Sequence, residues 1–443
     1  MERYSEYKDS GVKWLGEIPS HWEVMPIKYI SEVSSGATPK TSVQGYWDGN
    51  ITWVTPADFK TETKFVLKGN RNITTLGVKS CSTVILPKGS LVFSKRAPIG
   101  QVSILKIPLC TNQGCFGIIP NESMNNSFLY YSLAIHAQSF NTLGSGTTFR
   151  ELSFSTFSSF KLSVPPKEEQ DAIVRYLDAA TSKIDKAIAM QQKMIDLLNE
   201  RKQIIIQNAV TKGLDENVEM KNSGVEWIGM IPKHWEMKAI KYLKNTCKNA
   251  FVDGPFGSNL KSDHYVENGD VYVIESGFIT TGKFIYKDFK TITKEHFKTI
   301  NRSECVEGDI IIAKIGAKYG MAAILPKLDK KSVVSGNSLK LTLDESKMLS
   351  KYFVFLMSCF KENDGFKNIV QESAQPALSL GGLNNLKIPY PPIEEQKKVL
   401  CMVMPQCNEI DSAISNCQRQ ISLLQERKQI IINEVVTGKV KVS

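Results

Sequence analysis

Several short stretches of this 443-residue chain have residue types that could support catalysis, but each departs from the pattern that its chemistry requires. The segment DGPFGSNLKS, residues 253–262, looks phosphate-binding; a P-loop, however, needs glycine directly before Lys-Ser/Thr, and here three residues separate Gly257 from Lys261. Residues 389–392, Pro-Tyr-Pro-Pro, reverse the order of the motif of adenine methyltransferases. Glu-x-Lys triplets, one half of a metal-nuclease motif, recur along the chain and therefore discriminate nothing. The sequence predicts no catalytic residue.

The histidines and cysteines are also spaced unfavourably for metal binding or nucleophilic catalysis. The five histidines, His21, His136, His234, His264 and His296, are isolated from serine, cysteine and one another at ligand spacing, which argues against a triad or a zinc site. The nine cysteines include no Cys-x-x-Cys pair, so we predict no zinc ribbon, no disulfide framework and mostly reduced, buried thiols. For His21 and His234, which lie beside tryptophans, we expect a role in packing or hydrogen bonding.

What remains is a pattern of basic and amide side chains in loops that also contain glycine, serine and threonine. Arginine and lysine can neutralise phosphates or read guanine, and asparagine and glutamine can read adenine. A formal net charge of +10 favours a polyanionic partner. The alternative interpretation is that these loops are solvated turns. The predicted DNA-binding residues are Lys40, Lys95, Arg96, Asn112, Gln113, Thr148 and Arg150 in the first half of the chain, and Asn259, Lys261, Lys314, Lys318, Asn337 and Gln375 in the second.

The segments that must position these loops occur twice in the sequence. SGVKWLGEIPSHWE, residues 10–23, returns as SGVEWIGMIPKHWE, residues 223–236, with ten of fourteen positions identical. A second repeat has a constant offset of 226: PPKEEQ at 165–170 returns as PPIEEQ at 391–396, and ERKQIII at 200–206 returns at 426–432. Internal repeats of this kind predict a duplicated architecture. In the first repeat we expect four tryptophans to be apolar anchors: Trp14, Trp22, Trp227 and Trp235.

The PPxxEQ repeats open helical segments of about 40 residues. An acidic pair follows the prolines, which suits a helix N-terminus, and apolar residues then recur with spacings of four and three. Ordinary core packing would also produce such a stripe, but two copies of equal length favour a helix pair. Pro405 predicts a kink or a break in the second helix. The predicted helix-pairing residues are Ile184, Ile188, Ile195, Leu198 and Ile205, and Ile410, Ile414, Ile421, Leu424 and Ile431.

Between these repeats lie two blocks with short β-branched and aromatic runs separated by Gly, Pro, Asn and Asp, which indicate strands. The predicted fold class is α+β: two similar, mixed or mostly β domains joined by two long antiparallel helices, with a pseudo-twofold internal repeat. The charged start of the chain and the shortness of its apolar runs predict a cytoplasmic protein. The predicted domains are 1–164 with a repeated segment at 7–30, a helix at 165–213, a second domain at 214–390 with a repeated segment at 220–243, and a helix at 391–443.

In these features the chain resembles the specificity subunit of type I restriction-modification enzymes. The resemblance covers nearly the whole chain and rests on the paired SGVxWxGxIPxHW and PPxxEQ motifs, on SGATPKTSVQGYW and GPFGSNLKS, and on GSGTTFREL and AQPALSLGGL. It implies two target-recognition domains that each read one half of an asymmetric bipartite sequence in double-stranded DNA. It also implies a coiled coil of two antiparallel helices that sets the gap between the half-sites.

The resemblance further implies partners that carry the chemistry. Two modification subunits would bring S-adenosylmethionine and methylate adenine N6, and restriction subunits would use ATP and Mg²⁺. No cofactor is expected on this chain. Two alternatives stay open: a stand-alone DNA-modifying enzyme, either nuclease or methyltransferase, and a coiled-coil scaffold whose β domains bind protein or carbohydrate.

The order of the repeats predicts a circular arrangement. The segment 223–236 follows the first long helix directly, whereas 10–23 follows no helix. If the halves are equivalent, residues 10–23 should lie at the end of the second helix, near residue 436. We expect the repeated segments to lock each domain to a helix end and to form part of the dock for the modification subunits.

Overall fold

A computed structural model describes residues 2–59, 63–96, 98–146, 150–215, 217–280, 282–371 and 376–442. The chain divides into two compact units: unit 1 is Met1–Gln192 with Gln418–Ser443, and unit 2 is Lys193–Cys417. Each unit is described by itself below. Across the described ranges, no helix combines the length and the apolar character needed to cross a membrane.

Among its described residues, unit 1 contains twelve strands, five short α-helices, the first part of one long helix and the last part of the other. Its strands are β1 (Tyr7–Asp9), β2 (Glu17–Pro19), β3 (Glu23–Pro26), β4 (Ser31–Ser35), β5 (Trp47–Val54), β6 (Phe65–Val66), β7 (Arg71–Ile73), β8 (Leu91–Ser94), β9 (Val102–Leu105), β10 (Cys110–Thr111), β11 (Cys115–Pro120) and β12 (Lys161–Val164). Its helices are α1 (Ile27–Ile30), α2 (Thr75–Lys79), α3 (Asn126–Ile135), α4 (Ala137–Leu143), α5 (Phe154–Ser158) and the long α6 (Lys167–Lys212).

Unit 2 has the same kinds of element. Its strands are β13 (Met220–Asn222), β14 (Met230–Pro232), β15 (Glu236–Ala239), β16 (Phe251–Asp253), β17 (Val271–Ile274), β18 (Ile279–Thr280), β19 (Lys283–Phe284), β20 (Lys290–Ile292), β21 (Glu304–Cys305), β22 (Ile310–Ala313), β23 (Ala322–Ile324), β24 (Lys331–Val334), β25 (Ser338–Leu341), β26 (Val370–Gln371), β27 (Ala377–Leu378) and β28 (Lys387–Tyr390). Its helices are α7 (Lys294–Ile300), α8 (Ser350–Glu362), α9 (Leu380–Asn385) and the long α10 (Ile393–Val436).

The sheets of the two units follow one topology. The order β4-β11-β8-β9-β6 in unit 1 corresponds to β16-β25-β22-β23 in unit 2, and β10-β5-β7 corresponds to β24-β17-β20. In both units a parallel pair, β10 with β5 or β24 with β17, lies beside an antiparallel one. The predicted α+β class with two similar, mostly β domains and two long helices is therefore confirmed.

Strand β8 of unit 1 and strand β22 of unit 2 are buried on both faces, which explains why each is a nearly continuous apolar run. In β8, Leu91 and Phe93 contribute to one core cluster and Val92 to another. In β22, Ile310 and Ile312 lie in one cluster and Ile311 in a second. Because successive strand residues point to opposite faces, each run supplies both cores at once.

Each long helix begins with a buried glutamine that ties it to the domain before it. The Gln170 side chain accepts from the Asn125 backbone N–H (2.8 Å) and donates to the carbonyls of Ser123 (3.0 Å) and Pro165 (2.9 Å). Gln396 repeats this arrangement, with bonds of 2.9 to 3.0 Å to the Leu349 N–H and to the carbonyls of Lys347 and Pro391. The glutamine of PPxxEQ thus satisfies backbone groups at a second helix start, that of α3 or α8.

Within each unit, parts of α6 and α10 pack antiparallel. In unit 1, Asp185 of α6 pairs with Lys428 of α10 (2.7 Å). In unit 2, Lys202 of α6 pairs with Asp411 of α10 (2.6 Å). The two ion pairs are related by the repeat offset of 226: Asp411 is the counterpart of Asp185, and Lys428 is the counterpart of Lys202. The lysines that interrupt the apolar stripe therefore form ion pairs with the other helix.

The predicted helix-pairing residues are all at least half-buried. Ile184, Ile195 and Ile410 are 6 to 8% exposed, and the remaining seven are partly covered. Helix α10 continues through Pro405 without interruption, so the predicted break is wrong, and the alternative, a kink, stays a prediction. Val403 and Cys407, on either side of the proline, are 2% and 5% exposed. Their packing holds the helix, whereas Cys401, whose carbonyl loses the proline's N–H, lies on the exposed face.

The repeated segment of unit 1 lies at the end of α10. Trp22 is fully buried in one core with Val435 and Val436. Gly438 ends the helix with a φ of +74°, and a Cβ there would lie 3.1 Å from the Trp22 ring. The Tyr7 hydroxyl donates to the Gly438 carbonyl (3.1 Å). This placement agrees with the predicted circular arrangement.

The repeated segment of unit 2 lies at the end of α6 in the same manner. Trp235 is fully buried and shares a core with Ala209 and Val210. Gly213 ends the helix with a φ of +75°, and its Cβ position lies 3.2 Å from the Trp235 ring. The other two tryptophans are peripheral: Trp14 stacks on Phe160, and Trp227 meets Phe360 edge-on.

An acid in the first turn of each long helix binds the repeated segment as well. His21 contacts Glu169 (2.9 Å), and His234 contacts Glu395 (2.8 Å). In unit 2 the indole N–H of Trp235 also donates to Glu395 (3.0 Å). Each repeated segment is therefore held between the end of one long helix and the beginning of the other, as the predicted hydrogen-bonding role of the histidines requires.

Candidate nucleic-acid interface

In unit 1 the loop after β8 carries two cations that share one carboxylate. The Lys95 backbone N–H donates to the Gly114 carbonyl, and the Lys95 carbonyl accepts from the Leu152 N–H, both at 2.9 Å. The Lys95 ammonium lies 3.1 Å from one Glu151 oxygen, and the Arg96 Nε lies 3.0 Å from the other. The Lys95 side chain is 13% exposed and that of Arg96 45%. Arginine is thus the outward member of the cluster.

Glu151 stays ionised in this cluster. Partial burial raises the pKa of its carboxyl, but the hydrogen bonds from Arg96 and Lys95 outweigh this effect, and the pKa is lowered. The cluster therefore holds two positive charges and one negative.

Unit 2 builds the same backbone arrangement around Lys314. Its N–H donates to the Asn337 carbonyl, and its carbonyl accepts from the Leu378 N–H, again at 2.9 Å. The Lys314 ammonium lies 3.4 Å from one oxygen of the buried Asp253, and the Arg302 guanidinium lies 2.9 Å from the other. Here too the arginine is the outward member, with 58% of its side chain exposed.

Glycines bring the amide-bearing turns against these clusters. A Cβ on Gly36 would lie 2.2 Å from the Asn112 carbonyl oxygen, and one on Gly254 would lie 1.9 Å from that of Ser335. No other residue fits such an approach. The Thr38 hydroxyl donates to the Gln113 side chain. Thr38, Asn112, Gln113 and Lys95 thus share one loop cluster.

The predicted asparagines hold turns with their side-chain oxygens. That of Asn112 accepts from the Gly114 N–H (2.9 Å), and that of Asn337 accepts from the Ser276 N–H (3.3 Å) and from the Ser335 hydroxyl. What each asparagine can offer to a ligand is therefore chiefly its NH₂ group.

The loop that follows β16 contains Phe256, Asn259 and Lys261, all exposed. It forms two short 3₁₀ turns. His296 contacts the Asn259 carbonyl (2.9 Å), and His264 accepts from the Lys261 N–H (3.1 Å). The two imidazoles, distant in sequence, stack 4.0 Å apart and fix the loop to α7.

The remaining predicted residues are more scattered. Lys40, Arg150 and Lys318 are exposed in loops. Thr148 and Gln375 lie outside the described residues. For all of these side chains, DNA contact stays a prediction. Sequence reasoning missed Glu151, Asp253 and Arg302, whose link to the lysines depends on pairings 49 to 61 residues apart.

The described residues show no metal-ligand cluster, and several of their thiols are buried. They contain no group of three or more His, Cys, Asp or Glu that could hold a metal ion. Burial raises the pKa of the Cys110 thiol to about 11 and those of Cys305 and Cys359 to about 12. These thiols are protonated at neutral pH, as buried structural cysteines are.

Comparison with known proteins assigns the family. The model of the type I restriction modification DNA specificity domain matches residues 19–194 and 257–403, which is most of the chain. The matched ranges include Lys95, Arg96 and Glu151 in unit 1 and Arg302 and Lys314 in unit 2, whereas Asp253 precedes the second range. The chain belongs to this family. Its relatives include the MjaIX and MjaVIII type I specificity subunits of Methanocaldococcus jannaschii. They are 29% and 25% identical, and the matches cover 99% and 98% of this chain and 97% of each relative.

A solved structure shows the same fold. One chain from a study of complex assembly and conformational transition of the type I R-M system superposes with a TM-score of 0.71 at 12% identity. The match covers 96% of the present chain and 99% of the other. The present chain and that chain therefore share one fold.

Proposed function

We propose that this chain is the non-catalytic, sequence-reading subunit of a type I restriction-modification complex. Each unit reads one half of an asymmetric bipartite site in double-stranded DNA, and the two long helices fix the spacer between the halves. The observation that carries the proposal is the repetition of one backbone framework around Lys95 and Lys314 with different side chains in the surrounding loops. Two domains with the same backbone framework and different loop side chains suit the recognition of two different half-sites.

In this proposal the chemistry belongs to partner subunits. Two modification subunits supply S-adenosylmethionine and methylate adenine, and restriction subunits use ATP and Mg²⁺. The family membership and the names of the relatives support this division of labour.

Lys261→Ala should weaken DNA binding by the complex of this chain with its modification subunits. Lys261 is exposed in a loop of unit 2, and loss of one phosphate contact lowers the slope of log affinity against log salt by about 1. Fluorescence anisotropy with a labelled duplex at several salt concentrations measures this slope. Lys331→Ala, an exposed lysine of unit 2 that pairs with Glu304, is the matched control and should leave the slope unchanged. Equal slopes for wild type and Lys261→Ala would remove this residue from the interface.

The long helices carry exposed apolar residues that suit docking of the modification subunits. Leu197 and Ile204 on α6 are 50% and 51% exposed, and Leu423 and Ile430 on α10 are 47% and 48% exposed. The two pairs relate by the repeat offset of 226. One docking surface written twice suits two copies of one partner.

The double variant Leu197→Asp, Ile204→Asp should therefore bind one modification subunit instead of two at equal concentration. Placing carboxylates in a desolvated apolar contact costs about 1–3 kcal/mol each, or about tenfold to a hundredfold in affinity. Native mass spectrometry of the purified mixture gives the stoichiometry. Lys193→Asp, exposed on the same helix, is the control and should keep two partners bound. Retention of both partners by the double variant would contradict this docking surface.

A further inference from the structure

The shared framework allows residues of the two units to be matched position by position. Lys95 corresponds to Lys314 because their backbone bonds are the same. An isolated bridge joins Arg96 to Glu151 in unit 1 and Ile315 to Ala377 in unit 2, so position 151 corresponds to position 377.

Strand register supplies a second match. The Gly114 carbonyl accepts from the Lys95 N–H, and the Asn337 carbonyl accepts from the equivalent Lys314 N–H. Two residues further along each strand, Phe116 therefore corresponds to Leu339. Ser35 lies opposite Phe116, and Asp253 lies opposite Leu339. Position 35 therefore corresponds to position 253.

These matches show that the carboxylate of the cluster stands at non-equivalent positions in the two units. Unit 1 has Glu151 at one position and Ser35 at the other, whereas unit 2 has Ala377 and Asp253. In both units a single carboxylate binds the equivalent lysine and one arginine. The arginine has moved as well, because Ile315 stands where unit 1 has Arg96. The same cluster is thus assembled from non-equivalent positions.

The exposed arginines retain unused donors. Arg96 gives its Nε–H to Glu151, and Arg302 gives one terminal N–H to Asp253. Neither guanidinium hydrogen-bonds any other side chain among the described ranges. Fixing one edge of the planar guanidinium leaves the others oriented and reduces the entropy lost on binding.

The adjacent carboxylate decides which acceptor suits these donors. The carboxylate, about 3 Å from the guanidinium, already neutralises one of the two positive charges of the cluster and so weakens its attraction for a phosphate. The O6 and N7 edge of guanine carries no net charge and matches the arginine fork. An arginine that is paired with a carboxylate therefore favours a base edge over the DNA backbone.

We propose that Arg96 and Arg302 each read a guanine, one in each half-site, and that Glu151 and Asp253 are the positioning residues that orient them. The inference rests on the proposed function and names specificity-determining residues within it. Since the arginines come from non-equivalent positions, the guanine need not stand at the same place in the two half-sites.

The inference is tested by determining which DNA sequence motif the whole complex methylates. Adenine methylation is mapped by long-read sequencing in cells that carry the chain with its modification partner. We expect a G·C pair in each half of the wild-type motif. Arg302→Ala should relax one position of one half-site, lowering discrimination there by about tenfold to a hundredfold, and Arg96→Ala should do so in the other half. Lys331→Ala, an exposed lysine paired with Glu304 in unit 2, is the matched control and should leave the motif unchanged.

Each other outcome overturns the inference. A half-site without a G·C pair excludes a guanine contact there. A uniform fall in methylation with an unchanged motif assigns the arginine to phosphate. If wild type yields no bipartite motif, the proposed function itself fails; if it yields one and neither arginine variant changes it, this inference alone fails. The half-site that a variant leaves intact shows that the chain still folds and assembles.

The positioning role of Asp253 is tested separately, by measuring both discrimination and thermal stability. Asp253→Ser should abolish discrimination at the Arg302 position and also destabilise unit 2, because Lys314 loses its partner. Adding Ala377→Glu supplies a carboxylate at the position that Glu151 occupies in unit 1. We expect the double variant to regain the thermal stability but not the discrimination, since Arg302 stays unanchored. Full discrimination in Asp253→Ser, or its recovery in the double variant, would contradict the assignment of Asp253.

Discussion

Inserting one heptad into each long helix, after Ile195 and after Ile421, is expected to lengthen the spacer of the recognised DNA by about three base pairs. Seven residues add about 10.5 Å to a helix, and three base pairs of B-DNA span about 10 Å. Both half-sites should keep their sequence, because the loops that read them are unchanged. A heptad also preserves the apolar stripe that the paired helices share.

The insertion has a torsional cost. Three base pairs turn the duplex by about 100°, while a heptad turns the helix pair very little, so we expect weaker methylation together with the longer spacer. Mapping methylated adenines reports the spacer directly. Insertion into α6 alone is the control: it breaks the Lys202–Asp411 and Asp185–Lys428 register and should abolish activity. Retained methylation with an unchanged spacer in the double insertion would contradict the role of the helices.

Trp235→Ala should destabilise unit 2 by about 3–5 kcal/mol, and Trp22→Ala should do the same to unit 1. Both indoles are fully buried against a helix end, and each substitution leaves a cavity where the repeated segment meets that helix. Hydrogen exchange of peptides from the repeated segments and the helix ends measures the loss in each unit separately. Trp14→Ala is the control, since this indole is 40% exposed and its loss should cost much less.

The phenylalanine variants separate packing from hydrogen bonding. Trp235 donates its N–H to Glu395, whereas the buried N–H of Trp22 has no hydrogen-bond partner among the residues that the structure describes. Trp235→Phe should therefore cost about 1.5–3 kcal/mol more than Trp22→Phe, the range for a bond to a charged acceptor. Equal losses in the two units would show that the Glu395 bond contributes nothing.

Much of this architecture is predictable from sequence because it is repeated and locally periodic. The stripe from Ile184 to Ile431 and the twice-written PPxxEQ are short-range patterns, and α6 and α10 follow from them. The offset of 226 even relates Asp185–Lys428 to Lys202–Asp411, although the lysines look like interruptions of the stripe. Pro405 does not break α10 because the loss of one backbone hydrogen bond on an exposed face costs less than the packing of its buried neighbours contributes.

The two clusters of lysine, arginine and carboxylate are less predictable because strand register decides which residues meet. Lys95, Arg96 and Lys314 stand out in sequence as basic loop residues, but nothing local connects Arg302 to Asp253, 49 residues away. The equivalent cluster of unit 1 draws its acid from another position, so comparing the two halves of the sequence does not reveal it. Only the pairing of β16 with β25 and the bridge between residues 96 and 151 bring the positions into register.

The central claim is that one chain carries two different DNA-reading heads on a shared helix pair. Mapping methylated adenines in cells with the wild-type chain and its modification partner tests it most directly. We expect a single bipartite motif with two unlike half-sites, a fixed spacer and loss of all methylation at that motif when the chain is deleted. A continuous motif, or a bipartite motif that persists after deletion of the chain, would contradict the account.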